Sequence, residues 1–167
     1  MSQVKVLPFL LSESPASYQT GILGTTYTDP ATGYEYQIVK NTDGSALSPG
    51  MAVTKEAATA VFEVDACTTR ERVYGIVANQ LTGTTVAVSD AFWVLRRGVG
   101  YGYKGASGCG AIVANANVVA SGGAFEPRAG TVGALTCGQC ATFWNVQALT
   151  GTATNAAAGT QFRLRIT

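Results

Sequence analysis

Three groups of residues have types and spacing that invite chemistry. The first is Gly98-Val99-Gly100-Tyr101-Gly102-Tyr103-Lys104-Gly105-Ala106-Ser107-Gly108-Cys109-Gly110, a glycine-rich run with one lysine. A phosphate loop places its lysine directly after a glycine and follows it with Ser or Thr opening a helix. Lys104 is instead followed by Gly105-Ala106-Ser107-Gly108, which cannot hold a helix. The run therefore reads as a long hairpin or corner whose Tyr101 and Tyr103 cover an interface. The second group is Glu63 and Asp65, two apart in an expected strand and so on one face. Two such acids can work on a sugar or hold Ca²⁺. With Arg70, Glu71 and Arg72 close behind, they read as a solvated sheet face. The third is Cys67, Cys109, Cys137 and Cys140. Structural zinc draws on two close cysteine pairs, and only Cys137-Gly138-Gln139-Cys140 is close. A redox pair opens a helix, whereas Thr142-Phe143-Trp144-Asn145-Val146 reads as a strand. The expectation is buried thiols acting as small apolar side chains, with no disulfide and no metal.

Composition removes further chemistry. There is no histidine, so Ser–His and Cys–His nucleophiles and histidine metal ligands are excluded. Eleven basic residues against ten acidic ones leave a net charge of +1, too little for phosphate-backbone affinity. Arg96-Arg97 beside Trp93 reads as an edge or interface charge pair for the same reason. No run approaches the roughly 20 apolar residues of a membrane span. The opening Val6-Leu7-Pro8-Phe9-Leu10-Leu11 is short and broken by proline, so the expectation is a soluble protein synthesised in a reducing cytoplasm rather than secreted. No cofactor, no enzyme activity, no nucleic acid and no membrane are expected.

The elements that carry these residues are short and β-like, and the fold class expected is all-β, a compact barrel or sandwich spanning residues 35–167 as one domain. Expected strands are Glu35–Lys40, Met51–Thr54, Val61–Asp65, Arg72–Ala78, Thr85–Val88 and Phe92–Arg97. Those after residue 98 are Asn117–Ala120, Gly130–Leu135, Thr142–Gln147 and Gln161–Ile166. Asn41-Thr42-Asp43-Gly44 and Pro49-Gly50 read as corners. Gly75 inside a strand marks a bulge or a close backbone approach. Phe92 and Trp93 straddle the two faces of theirs. The single helical expectation is the two-turn Thr54–Ala60.

Residues 1–34 read differently, as an extended arm. They hold Pro8, Pro15 and Pro30, and their apolar residues follow neither period. Phe9, Leu10, Leu11, Tyr18, Ile22, Leu23 and Tyr27 are spaced like anchors, and such a segment lies either along its own domain or across a partner. The partner reading has Phe9, Leu10, Leu11, Tyr18 and Tyr27 buried mainly by contacts outside the domain. The expected partner-binding set is nine residues: Phe9, Leu10, Leu11, Tyr18, Ile22, Leu23 and Tyr27 of the arm, with Tyr101 and Tyr103. Sparse charge (13% of residues) favours a protein that works inside an assembly.

One ordered series adds a resemblance. Gly44-Ser45-Ala46-Leu47-Ser48-Pro49-Gly50-Met51-Ala52-Val53 is followed by Val73-Tyr74-Gly75-Ile76-Val77-Ala78-Asn79 and Phe92-Trp93-Val94-Leu95-Arg96-Arg97-Gly98. A second round runs from Asn117-Val118-Val119-Ala120 through Thr131–Leu135 to Phe162–Thr167. From Tyr34 onward this resembles the small β-barrel or β-sandwich decoration (cement) proteins of tailed-phage capsids. The resemblance implies a non-enzymatic role on the outer surface of an icosahedral shell, bracing major-capsid-protein subunits, often as a homotrimer. It carries no catalytic residues. Alternatives are another virion component (tail tube, fibre or head–tail piece) or a carbohydrate-binding module using Trp93 or Trp144.

Overall fold

A computed structural model of the chain describes residues 22–55, 61–67, 73–78, 85–105, 111–121, 123–127, 146–152 and 159–167. Ten strands follow one another: β1 (Thr26–Thr28), β2 (Glu35–Asn41), β3 (Ala52–Lys55), β4 (Glu63–Ala66), β5 (Gly75–Val77), β6 (Ala91–Tyr103), β7 (Val118–Ser121), β8 (Ala124–Pro127), β9 (Val146–Ala148) and β10 (Gln161–Ile166). The all-β expectation holds.

Strands β2, β4, β3, β5 and β6 pair in that order, and β6 returns to β2, closing a five-stranded barrel. Period-two alternation explains its filling. Val39, Val53, Val64, Val77, Phe92 and Val94 pack together inside, β-branched except for one ring, as a narrow barrel requires. Leu47 and Val86 join them, tied by reciprocal backbone hydrogen bonds of 2.9 and 2.8 Å. The outward residues of the same strands seed two further cores. Tyr36, Ile38, Trp93 and Leu95 form one on the β2–β6 side. Ala52 and Ile76 belong to the other, with Phe125, Val146, Phe162, Leu164 and Ile166. Phe92 and Trp93 do straddle the faces.

β6 is the organising strand. Its first half, residues 91–97, closes the barrel against β2. Its second half, residues 98–103, leaves the barrel and pairs with β10, which pairs with β9 in a three-stranded extension. The change occurs at a bulge. Tyr36 faces Leu95 and Glu35 faces Arg97, leaving Arg96 as the extra residue. The β7–β8 hairpin packs on the inner side of the extension.

Several expectations need correction. Thr54 and Lys55 belong to strand β3 rather than to a helix, and 56–60 lie outside the described residues. Thr85–Val88 is no strand; only Val86 makes a bridge, to Leu47. Gly98–Tyr103 is strand, not hairpin or corner. Its glycines alternate inward and are covered by large side chains. A Cβ on Gly102 would stand 2.5 Å from Leu164 and 2.6 Å from the Phe125 ring, and one on Gly98 would stand 2.6 Å from the Tyr34 ring. Glycine there admits a neighbour's bulk onto the strand. Strands β1 and β8 were not foreseen. Gly75 does mark a close approach, with the Leu95 carbonyl 2.9 Å from where its Cβ would be. At Pro49-Gly50, Gly50 has φ +86° and Met51 N–H reaches Ser48 O, a type II turn. The expected strand at Gly130–Leu135 lies outside the described residues, as do residues 142–145 of the expected Thr142–Gln147, whose Val146 and Gln147 belong to β9.

Candidate interaction surface

The partner-binding residues expected from sequence divide three ways. Phe9, Leu10, Leu11 and Tyr18 lie outside the described residues. Ile22, Leu23 and Tyr27 do not reach away from the domain; with Tyr34 they pack on the Trp93 core. Tyr27 stacks near Tyr36 (centroids 6.3 Å apart, planes at 26°) and meets Trp93 edge-on at 6.4 Å. This corrects the expectation that Tyr27 is covered from outside. The cause is strand pairing: Thr26–Thr28 forms a hairpin with β2. Its turn is held by Asp29, whose carboxylate accepts the Ala31 N–H at 3.0 Å and the Thr32 hydroxyl at 2.7 Å. Those hydrogen bonds hold the Asp29 carboxyl below its ordinary range.

Tyr101 and Tyr103 sit on the outer face of the extension. Burial along β10 alternates, placing Gln161, Arg163 and Arg165 outward and Phe162, Leu164 and Ile166 inward. The register sets Tyr103 opposite Gln161, Tyr101 opposite Arg163, Val99 opposite Arg165, and Arg165 opposite Gln147 of β9. The outward face is thus a short ladder of tyrosine, arginine, glutamine and valine with no carboxylate. Tyr101 is 42% exposed. Tyrosine and arginine are the residues protein interfaces favour, because each buries much area and keeps a polar tip. Sequence reasoning named the tyrosines and missed the arginines. Their signal was the strict alternation of Gln161-Phe162-Arg163-Leu164-Arg165-Ile166.

The groups first weighed for chemistry are occupied with architecture. Glu63 pairs with Lys40 at 3.3 Å, and Asp65 accepts the Thr42 hydroxyl at 2.8 Å. Lys104 is buried, its backbone bonded to Thr160 O and Gly159 N–H, not in a loop open to phosphate. Trp93 is buried and offers no sugar platform; Trp144 lies outside the described residues. Cys67 is buried, as a small apolar side chain would be, and Cys109, Cys137 and Cys140 lie outside the described residues. Arg96 lies on the Tyr74 ring at 3.4 Å, and Arg97 pairs with Glu35 at 3.6 Å. These arginines, with Thr26, Thr28, Gln37 and Thr167, line an open cleft of about 440 Å³ beside the bulge.

Asn41 and Asp43, expected only as turn residues of the Asn41–Gly44 corner, tie the opposite end of the barrel through their side chains. Buried Asn41 donates from Nδ2 to the carbonyls of Ser45, Val86 and Ala87, each at 3.1 Å, and accepts the Asp43 N–H at 3.0 Å. Asp43 accepts the Ser45 hydroxyl at 2.7 Å and the Ala66 N–H at 2.9 Å. Burial pushes the Asp43 carboxyl up, but the Ser45 and Ala66 hydrogen bonds outweigh it and leave it below the ordinary range. No protein-family model matches this chain, and no curated protein matches it.

Proposed function

We propose that this chain is a non-enzymatic structural protein of a tailed-phage virion. In this reading it binds the outer surface of the icosahedral capsid and cements major-capsid-protein subunits, its partners being that shell protein and further copies of itself in a trimer. The observation that carries the reading is the outward face of β6 and β10, where Tyr101 and Tyr103 stand beside Arg163 and Arg165 on a paired sheet. Such a face has the composition of a protein interface and is rigid before contact, which lowers the ordering cost of binding. Only two of its side chains are cationic, which favours a protein surface over a polyphosphate.

The mechanism is mass action. A protein that binds the assembled shell and not its free subunits stabilises the shell by its binding free energy, multiplied over many sites. The test heats purified particles with and without the protein. A higher rupture temperature for decorated particles, with the protein on their outer surface, supports the role. Equal rupture temperatures with no surface binding overturn it and favour a tail or fibre component.

A further inference from the structure

The basic face has a counterpart at the other end of the same strand. Lys40 of β2 pairs with Ala91 at the start of β6, and Glu63 of β4 pairs with Lys40. Around that end lie Glu63 and Asp65, outward on β4, together with Asp43. Lys40 is the one cation paired with these acids among the described residues. The same end carries two exposed valines. Val61, 65% exposed, precedes β4; Val88, 48% exposed, lies in the turn whose Ser89 N–H bonds Asn41 O. Three of the four large apolar side chains exposed among the described residues are therefore Val61, Val88 and Tyr101. The fourth, Val113, sits in a turn bonded to β9.

The two ends match in chemistry and cannot meet within one molecule. From Ala91 to Tyr101 is ten residues of strand, a span of roughly 33 Å at about 3.3 Å per residue. One end offers tyrosine and arginine, the other valine and carboxylate. Like faces would set Arg163 and Arg165 against their own copies, which opposes a two-fold dimer. We propose that copies of this chain associate head to tail. The Tyr101, Tyr103, Arg163 and Arg165 face of one copy docks on the Val61, Val88, Glu63 and Asp65 corner of the next. A heterologous contact of this kind closes into a ring when its rotation allows. The inference deepens the reading of the β6–β10 face as a protein interface by assigning its occupant, and it needs no capsid.

Sedimentation of the purified full chain tests it. Assembly is expected in dilute salt, with dissociation in about 1 M salt, where charges are screened beyond roughly 3 Å. Arg163→Glu with Arg165→Glu should weaken assembly by roughly tenfold or more, and so should Glu63→Lys with Asp65→Lys. The chain carrying all four reversals should regain most of it. Because Glu63 and Asp65 also bond within the barrel, Val61→Lys probes the same corner without losing an internal polar contact, and it should weaken assembly too. A monomer at every concentration and salt overturns the inference, as does assembly unchanged by both Arg163→Glu/Arg165→Glu and Val61→Lys. If the arginine reversals leave assembly intact but abolish binding to particles, the face serves the shell; the inference then fails while the capsid reading stands.

Discussion

The Phe62 ring occupies the space that a side chain on Gly24 would need, its Cζ lying 2.3 Å from the Cβ position. Gly24 has φ +85°, its N–H reaches Ile38 O at 2.8 Å, and Gln37 Nε2 donates to its carbonyl at 3.3 Å. This contact clasps the segment 22–28 to the barrel.

Gly24→Ala should therefore destabilise through two effects. The left-handed backbone costs about 1–2 kcal/mol for alanine, and Phe62 must move. Together they should lower the melting temperature by roughly 5–10 °C, at about 2–4 °C per kcal/mol for a chain of this size. Trp93 fluorescence, which senses the core that Ile22 and Tyr27 cover, should change in parallel. An unchanged melting temperature would show that this clasp contributes nothing.

Asp43 predicts an acid-sensitive link. Its carboxyl is depressed in the folded state, so its contribution is present above the unfolded value of about 3.9 and is lost as pH falls through the lower folded value. Asp43→Asn should destabilise at neutral pH, with the difference from the parent shrinking below about pH 4. Urea midpoints measured between pH 7 and pH 2.5 check this; a constant difference across that range would refute it.

Asn41 predicts a larger loss. Its amide serves three carbonyls and its oxygen one N–H in a site closed to water, and its own backbone bonds Asp90 O and Ser89 N–H. Asn41→Leu takes the partner from Ser45 O and from the Asp43 N–H, while Val86 O and Ala87 O keep the N–H groups of Leu47 and Asp90. Each group left unsatisfied costs about 1–3 kcal/mol. A loss of roughly 2–4 kcal/mol in chemical denaturation is expected, and a loss below about 1 kcal/mol would contradict the network.

The barrel strands were legible because apolar and polar residues alternate along Glu35–Lys40 and Val61–Asp65, as a half-buried strand imposes, and because Phe92-Trp93-Val94-Leu95 is a short unbroken apolar run of the kind a strand buried on both faces carries. Gly98–Tyr103 was not legible, since Gly98 and Gly102 are covered by Tyr34, Phe125 and Leu164 from distant parts of the chain. Local propensity sees only glycine there. β1 was hidden for a related reason. Three residues cannot display a period, and Thr26–Thr28 is a strand only because β2 pairs with it. Of the candidate surface, the tyrosines stood out by type, but their neighbours Arg163 and Arg165 depended on a cross-strand register that no sequence window contains.

The last prediction separates fold from function at Tyr101. Its ring is on the outer face, opposite Arg163, and a cross-strand pair of this kind contributes about 0.2–1 kcal/mol. Tyr101→Ala should therefore shift the denaturation midpoint only slightly. Truncating a tyrosine at the centre of a protein interface commonly costs about 2 kcal/mol or more, close to a thirtyfold loss of affinity. The same variant should thus fold almost normally yet bind its partner, particle or second copy, roughly thirtyfold more weakly. Gly102→Ala gives the contrast. It crowds Leu164 and Phe125 on the inner face, so it should lower stability by about 1–3 kcal/mol. Parallel binding and unfolding measurements on the two variants decide the matter. If Tyr101→Ala lost stability and affinity in the same proportion as Gly102→Ala, the outer face would be structural, and the interface reading would fall.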